Sequence, residues 1–166
     1  MTAEIIIRVA VSKNGYIGNS DNPPRYLPWQ KLEGDLPRFK SDTEGYPILM
    51  GKTTAVNLKK PLPGRTNIVL SRTGKNIPEN FIHFRELSQA INAIQNTNDK
   101  IFIIGGAQII EEAFKARSVN TLMITETYDD FPGDVKLPVD NYRKWNEVKR
   151  EKFPEFRYDI VTYKPA

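Results

Sequence analysis

The sequence has no cysteine and a single histidine among its 166 residues. Without cysteine, the chain forms no disulfide bonds and has no thiolate for catalysis or metal binding. Histidine-based triads and histidine-rich metal sites are poor expectations for the same reason, and we predict no metal site. The histidine, His83, lies in the apolar run FIHF, where a packed strand residue is the expected role. Carboxylates, hydroxyls and basic side chains therefore remain as the groups available for chemistry.

Long hydrophobic runs are also missing. The N-terminal segment MTAEIIIRVAV has only three consecutive apolar residues before Arg8, which fits neither a signal peptide nor a membrane span. We therefore expect a cytoplasmic protein without a membrane partner. A hydrophobic content of 39% and a charged content of 27% are typical of a globular protein. The length fits one domain, residues 1–166.

The net charge of +4 comes from scattered basic residues rather than from a basic stripe. The densest clusters are Lys59-Lys60 and the segment from Arg143 to Lys152. This distribution suits a small anionic ligand and gives little support to nucleic-acid binding. We therefore predict small-molecule partners and no nucleic-acid partner.

Apolar runs and periodic segments alternate in an order that predicts the fold class. Helices are expected at residues 33–43, from Thr53 or Thr54 to Leu58, from Leu87 to Ile94 and at 107–116. Strands are expected at residues 5–11, 47–50, 67–71, 81–84, 100–104 and 119–128, with a long loop at 12–28 and a tail hairpin around Pro154. Strands separated by helices, followed by strands alone, predict an α/β protein whose mainly parallel sheet has an antiparallel edge.

The segment LEGDLPRFK, residues 32–40, places an acid on an apolar helix face. Asp35 shares the i, i+3, i+4, i+7 spacing with Leu32, Leu36 and Phe39. One interpretation is a helix N-cap, because a glycine precedes the acid and a proline, accepted only in a first turn, follows it. The other is a half-buried carboxylate that needs a partner, such as a ligand with two adjacent N–H donors. Both interpretations remain open on these residues alone.

Two strand-to-helix turns contain glycine. FIIGGAQII, residues 102–110, has a Gly-Gly turn, and MGKTT, residues 50–54, has one glycine before the predicted helix. Amide groups at such helix starts bind phosphates, although plain connections and threonine capping explain the same residues. The turn PLPGR, residues 61–65, presents Arg65 either as an exposed arginine or as a carboxylate clamp. Two helix N-termini and a buried acid together suggest a dinucleotide and a second ligand in one cleft.

Seven segments resemble motifs of the dihydrofolate reductase family, in that family's order and approximate spacing. They are VAVSKNGYIG, LPW, the acid of GDLPRFK, PILMGKTT, PLPGRTNIVLSR, IFIIGGAQII and ITETYDDFPGD. The resemblance implies an eight-stranded, mainly parallel sheet with an antiparallel edge, flanked by about four helices. It also implies a monomer that reduces 7,8-dihydrofolate to 5,6,7,8-tetrahydrofolate with NADPH, supports one-carbon and nucleotide synthesis, and binds antifolate inhibitors.

The resemblance implies particular substrate contacts. Asp35 would accept hydrogen bonds from the pterin ring and help to protonate N5, with Thr125 bonded to it and Trp29 holding a water nearby. Arg65 would clamp the α-carboxylate of the glutamate tail. The full set of implied substrate residues is Asp35, Leu36, Phe39, Leu58, Lys60, Arg65 and Thr125.

The resemblance also implies a site for NADPH, which is needed because no side chain supplies hydride. Ala10 and Ile17 would lie beside the nicotinamide, and Lys52 and Arg72 would favour the 2′-phosphate of NADPH over NADH. The Gly-Gly turn would face the pyrophosphate, and in this family its peptide bond is often cis. The implied residues are Ala10, Ile17, Gly18, Gly51, Lys52, Thr53, Thr54, Ser71, Arg72, Gly105, Gly106, Ala107, Gln108 and Ile109.

Two other functions compete with this assignment. A reductase of the same fold that acts on a flavin-pathway pyrimidine shares the NGYI-type start and the LMG-type strand end, but Trp29, Asp35 and the PLPGR turn favour folate. A non-enzymatic nucleotide-binding module predicts salt-sensitive binding without turnover. The sequence lacks the clustered basic stripe that the second alternative favours.

Overall fold

Eight strands form one sheet in the computed structural model, which describes residues 3–139 and 142–166. These strands are β1 (Glu4–Val11), β3 (Ile48–Gly51), β4 (Asn67–Leu70), β5 (Ile82–Phe84), β6 (Lys100–Gly105), β7 (Thr121–Thr127), β9 (Asn146–Phe153) and β10 (Tyr158–Lys164). Two short strands, β2 (Tyr16–Gly18) and β8 (Val135–Lys136), form a separate ribbon. The helices are α1 (Asp35–Thr43), α2 (Lys52–Leu58), α3 (Leu87–Ile94) and α4 (Ala107–Lys115), with a 3₁₀ turn at Tyr142–Lys144.

The strand order is β5-β4-β3-β6-β1-β7-β10-β9. The pairs from β5 to β7 are parallel, and β10 runs antiparallel to both β7 and β9. The predicted mainly parallel sheet with an antiparallel edge is therefore confirmed, as is the tail hairpin. Within the described residues, no helix is long and apolar enough to cross a membrane.

Apolar side chains cover both faces of the central strands, as parallel sheets require. One cluster contains Ile5, Ile7 and Val9 of β1 together with residues of α3 and α4, and the other contains Ile6 and residues of β3 and α2. Successive side chains of a strand point to opposite faces, which explains how β1 serves both clusters. The same alternation puts Arg8 and Ala10 on the Ile6 face.

The observed elements differ from the predicted ones at several ends. Helix α1 begins at Asp35 rather than at residue 33, and its N-cap is Gly34 with a φ of 77° and no side-chain cap bond. The interpretation of Asp35 as the N-cap is therefore wrong. A side chain at Gly34 would contact Phe156 and Tyr158 at 3.1 and 3.2 Å, so the tail hairpin packs directly over this cap.

Three further expectations need correction. The predicted loop at residues 12–28 contains β2, whose three residues are too few to show a strand period. His83 is exposed rather than packed, because β5 is an edge strand with little cover, and its Nε2 atom lies 2.6 Å from the Ser71 carbonyl. Helix α2 begins one residue before the earlier predicted start, at Lys52.

Candidate active site

A large cleft opens at the carboxyl ends of the parallel strands β1, β3, β4 and β6, where α/β sheets commonly bind ligands. Its volume is about 1560 Å³, larger than the 300–1,000 Å³ typical of one drug-sized ligand. Residues on its wall include Ala10 of β1, Gly51 after β3, Ser71 after β4 and Gly105 of β6. The cleft therefore has room for two ligands side by side.

Asp35 is the carboxylate at the centre of this cleft. It is the first residue of α1, and its side chain is 19% exposed. The Thr125 hydroxyl, from the buried strand β7, donates a 2.7 Å hydrogen bond to Asp35 Oδ1. No hydrogen bond from the described residues reaches Oδ2. One oxygen is thus held by the protein while the other is available to a ligand, where the dipole of α1 favours negative charge.

A tyrosine of β10 holds the chain just before the start of α1. The Tyr158 hydroxyl of β10 donates a 2.7 Å hydrogen bond to the carbonyl of Glu33, two residues before Asp35. Burial, followed by the charge of Asp35, raises the pKa of Tyr158 above its usual value. A protonated Tyr158 therefore continues to donate this bond over the physiological range and holds the chain that leads into Asp35.

Arg8 is a cleft residue that the sequence analysis did not assign to the site. It is 2% exposed, its Nη1 atom donates to Thr125 Oγ1 at 3.0 Å, and its Nη2 atom lies 3.7 Å from Asp35 Oδ1. Its Nε atom donates to Asp42 Oδ2 at 3.4 Å. A charged residue inside a buried parallel strand was the available signal, because arginine is almost never fully buried without partners.

The apolar wall beside Asp35 is formed by α1, α2 and Trp29. Leu36, Phe39 and Leu58 line the cleft as expected, and Leu27 and Leu62 line it as well. Trp29 is 6% exposed, and its ring contacts Phe131 edge-on with 5.6 Å between ring centroids. A flat ring bonded to Asp35 would therefore lie against an apolar surface.

The glycine turns line the other half of the cleft. The peptide bond between Gly105 and Gly106 is cis, as the family resemblance implies, and Gly105 has a φ of 137° that favours glycine. A side chain at Gly51 would approach Ile109 Cγ1 to 3.3 Å, and one at Gly105 would lie 3.5 Å from Thr54 Oγ1. The remaining predicted cofactor residues on the cleft wall are Ala10, Ile17, Gly18, Lys52, Thr53, Ser71, Arg72, Ala107 and Gln108. The absence of side chains at Gly51, Gly105 and Gly106 suits the close approach of a phosphate group.

Basic side chains outnumber acidic ones along the cleft. The basic residues are Arg8, Arg25, Lys40, Lys52, Lys59, Arg72 and Arg85, and the acidic ones are Asp35, Glu86 and Glu112. Arg85 donates a 3.1 Å hydrogen bond to the Arg72 carbonyl, which ties together the chain segments that follow β4 and β5. This excess of positive charge attracts anionic ligands. In the described part of the chain, no group of three His, Cys, Asp or Glu side chains is arranged to hold a metal ion.

Arg65 and Lys60 lie in a second depression rather than on the main cleft wall. Its volume is about 890 Å³, and it shares Lys59 and Leu62 with the cleft. Arg65 Nε donates to Thr43 Oγ1 at 2.8 Å, and its Nη2 atom donates to the Lys40 carbonyl at the end of α1. The guanidinium is therefore anchored at the edge of the cleft, where a ligand tail leaving the cleft would reach it.

The loop over the cleft, residues 18–28, is fastened to the segment that follows β7. Ser20 donates its backbone N–H to Asp134 Oδ1 at 3.0 Å and its hydroxyl to Oδ2. The Ser20 hydroxyl bond, with the backbone bond second, holds the pKa of Asp134 below its usual value. Asn19 adds a 3.1 Å bond to the Pro132 carbonyl. The loop that closes one side of the cleft thus depends on residues of the ITETYDDFPGD motif.

Comparison with known proteins agrees with this geometry. A family model described as dihydrofolate reductase matches residues 4–164. The dihydrofolate reductase of Buchnera aphidicola from Acyrthosiphon pisum is 38% identical over 162 residues, 96% of this chain and 94% of that protein. That of Haemophilus influenzae is 32% identical over 157 residues, 95% of this chain and 89% of that protein. The structure of Enterococcus faecalis dihydrofolate reductase complexed with NADP(H) and RAB-propyl has a TM-score of 0.83, 24% identity and 99% coverage of both chains.

The fold and the cleft define an α/β protein whose cleft contains the carboxylate of Asp35 and two glycine turns at helix N-termini. Because the family match covers nearly the whole chain, the chain belongs to the dihydrofolate reductase family. Dihydrofolate reduction is the activity that this membership supports, and the flavin-pathway pyrimidine alternative is not favoured.

Proposed function

We propose that the cleft binds 7,8-dihydrofolate and NADPH side by side and that Asp35 is the group that binds and orients the pterin ring. The observation that carries the proposal is the divided bonding of Asp35. Thr125 holds Oδ1 at 2.7 Å, and Oδ2 faces a cleft with an apolar wall. Oδ2 is free to accept hydrogen bonds from a ring N–H and its amino group. A carboxylate in this position also assists delivery of a proton to N5.

NADPH, when bound, supplies the hydride that dihydrofolate accepts at C6. The glycine turn at Gly105 and Gly106 and the start of α4 fit its pyrophosphate, since they expose backbone N–H groups without side-chain obstruction. Lys52 and Arg72 provide cations for the 2′-phosphate. Ala10, Ile17 and Gly18 line the part of the wall between this end and Asp35, as expected for contacts with a nicotinamide.

Arg65 and Lys60 form the outer end of the proposed substrate site. Arg65 lies at the boundary between the cleft and the adjoining depression, where it is anchored to α1 through Thr43 and Lys40. A glutamate tail that leaves the cleft carries carboxylates past these two cations. Trp29 is proposed to hold a water molecule near Asp35; both residues line the cleft, and the Trp29 ring is buried.

The proposal extends to the state of the protein in the cell. Family membership supports a cytoplasmic monomer built from one dihydrofolate-reductase-like domain, residues 1–166, that also binds antifolate inhibitors. Sedimentation velocity with and without NADPH checks the oligomeric state, and a species of twice the chain mass would contradict the monomer.

The decisive test is the loss of NADPH absorbance in the presence of dihydrofolate, repeated with NADH and with a flavin-pathway pyrimidine substrate. We expect rapid turnover with dihydrofolate and NADPH and much slower turnover in the other two reactions. Turnover of the pyrimidine without turnover of dihydrofolate would show that the protein is the alternative, flavin-pathway reductase. Ligand binding that weakens steeply with salt, without turnover of either substrate, would support a binding module instead.

A further inference from the structure

Arg8 places a buried positive charge at the wall of the cleft. Its side chain extends from the middle of β1, on the same face as Ile6 and Ala10, and it is among the cleft-lining residues. The residues on either side of it in β1, from Ile5 to Val9, are buried and apolar. Burial of an arginine at such a position costs free energy unless charges and hydrogen bonds compensate it. The compensation that the structure provides is incomplete.

Each nitrogen of the Arg8 guanidinium has a different environment. Nε donates to Asp42 Oδ2 at 3.4 Å, and Nη1 donates to Thr125 Oγ1 at 3.0 Å. Nη2 lies 3.7 Å from Asp35 Oδ1, beyond hydrogen-bond distance. Within residues 3–139 and 142–166, Nη2 is the buried side-chain nitrogen or oxygen without a hydrogen-bond partner. The guanidinium therefore acts on Asp35 as a nearby charge rather than as a direct donor.

The bond from Arg8 also determines how Thr125 is oriented. A guanidinium only donates hydrogen bonds, so the Thr125 oxygen accepts from Arg8 and its hydrogen points to Asp35 Oδ1. The other charged or titratable groups around this acid are Arg38 and Asp42 of α1 and Tyr158 of β10. Arg38 is directed away, to Asp42 and to Glu151 of β9. Among the described residues, Arg8 is the cation paired with Asp35.

We propose that Arg8 is a specificity-determining residue that makes the cleft prefer a neutral pterin ring to a protonated aminopyrimidine ring. This inference rests on the proposed function of Asp35. Both ring types offer adjacent N–H donors to a carboxylate, but a basic 2,4-diaminopyrimidine takes up a proton when it pairs with an acid. Its positive charge is then repelled by Arg8 across a weakly screened site, whereas a neutral pterin is not.

A change at Asp42 should shift ligand preference in the direction opposite to a change at Arg8. Its carboxylate is 17% exposed and bonds both Arg8 and Arg38, so it offsets part of the charge of Arg8. Removing the charge of Asp42 leaves Arg8 less neutralised and increases the repulsion of a cationic ring. Removing the charge of Arg8 abolishes that repulsion. A merely structural role for this cluster predicts no such opposite changes.

The experiment measures two dissociation constants by titration calorimetry on the full chain with NADP⁺ bound, which has no hydride to give to dihydrofolate. One constant is for dihydrofolate and the other is for a 5-benzyl-2,4-diaminopyrimidine. In Arg8→Met, the ratio of the two constants should change at least tenfold in favour of the diaminopyrimidine, equivalent to about 1.4 kcal/mol. In Asp42→Asn, the ratio should change about threefold or more in the opposite direction, about 0.65 kcal/mol. Arg38→Met is the matched control, because Arg38 belongs to the same network without lining the cleft.

An unchanged ratio in Arg8→Met would overturn the proposal, as would an equal change in Arg38→Met. If Arg8→Met does not fold, Asp42→Asn decides: a shift toward dihydrofolate supports the role of Arg8, and no shift overturns it. Turnover of dihydrofolate with NADPH is measured in a separate assay on the same preparation of the unaltered protein. If the unaltered protein turns over dihydrofolate but the ratio of dissociation constants does not change in the variants, this inference alone is wrong. If the protein neither turns over nor binds dihydrofolate, the proposed function is wrong and the inference with it.

Discussion

Thr125 and Glu126 are neighbours on β7, yet they belong to two very different carboxylate sites. Thr125 is fully buried on the face of the sheet that carries Asp35 and bonds that acid, whereas Glu126 points to the opposite face. Glu126 is 8% exposed and accepts hydrogen bonds from the hydroxyls of Tyr142 and Tyr163 at 2.9 and 2.6 Å. The guanidinium groups of Arg143 and Arg150 lie 3.8 and 3.9 Å away.

The difference between the two sites lies in how completely the protein satisfies each acid. The protein supplies Glu126 with two hydroxyl donors, both to Oε2, and with two cations, and Glu126 is not among the residues that line the cleft. Asp35 has one hydroxyl donor, one cation at 3.7 Å and one oxygen facing a large cleft. An acid with spare bonding capacity in a cavity is expected to bind ligand, while an acid enclosed by protein donors and cations away from the cavity is expected to stabilise the fold.

The largest effect is expected from Asp35→Asn. This change preserves size but removes the charge and the ability to accept two hydrogen bonds, so dihydrofolate turnover should fall by about 10² to 10⁴, the range for loss of acid–base assistance. The variant should still unfold cooperatively in urea, because an amide oxygen can still accept from Thr125 and Oδ2 makes no bond to the described residues; the expected cost in stability is the loss of the negative charge 3.7 Å from Arg8. Steady-state assay and urea titration check the two expectations, and near-normal turnover would sink the assignment of Asp35.

Glu126→Gln should produce the converse result. The amide oxygen can still accept from Tyr142 and Tyr163, which both bond Oε2, but the NH₂ group then lies at the Oε1 position near Arg150. The change also removes a negative charge from beside Arg143 and Arg150, and together these effects should cost about 1–3 kcal/mol of unfolding free energy. The kcat/KM for dihydrofolate should remain within about threefold of the unaltered value, since Glu126 faces away from the cleft. Urea denaturation followed by circular dichroism measures the first quantity. A loss of activity as large as that of Asp35→Asn would erase the distinction between the two acids.

Arg65→Leu tests how far the ligand site extends from Asp35. Loss of a remote carboxylate contact should raise the KM for dihydrofolate about fivefold or more with kcat little changed, a cost of about 1 kcal/mol. Arg157→Leu is a suitable control, because Arg157 is exposed and pairs with Asp129 at 2.7 Å outside the cleft. Equal KM values in the two variants would reduce Arg65 to a turn residue held by Thr43.

The order of strands and helices could be predicted because each element has its own apolar pattern. The start of α1 could not, since Gly34 ends the preceding turn only in combination with Phe156 and Tyr158, more than 100 residues away. The contact between Asp35 and Thr125 spans 90 residues and depends on the pairing of β1 with β7, so only the family resemblance suggested it.

Arg8 is a different case, because the sequence around it did contain a local signal for a site residue, and that signal was interpreted only as evidence against a membrane span. Its charge was used to exclude a membrane span, whereas an arginine in the middle of a buried strand also demands acidic partners. Those partners, Asp35 and Asp42, come from α1, and their side-chain positions depend on how that helix packs against β1. Local sequence therefore predicted the need for partners but not their identity.

The smallest expected effect is a loss of stability at alkaline pH, caused by the two tyrosines that bond Glu126. Burial raises the pKa of Tyr142 to about 12, and burial together with the hydrogen bond to Glu126 raises the pKa of Tyr163. A tyrosine with a raised folded-state pKa stabilises the fold fully below its unfolded value of about 10, and the contribution is lost as pH rises through the folded value. The urea midpoint should thus stay constant up to about pH 10 and fall between pH 10 and 12.

Tyr163→Phe removes one of these tyrosine hydroxyls. The change should lower the free energy of unfolding at neutral pH by about 1 kcal/mol, because a hydrogen bond is lost, and should make the decline at alkaline pH shallower. A decline of equal slope in both proteins would show that Tyr163 is not a titrating group on which this face of the sheet depends.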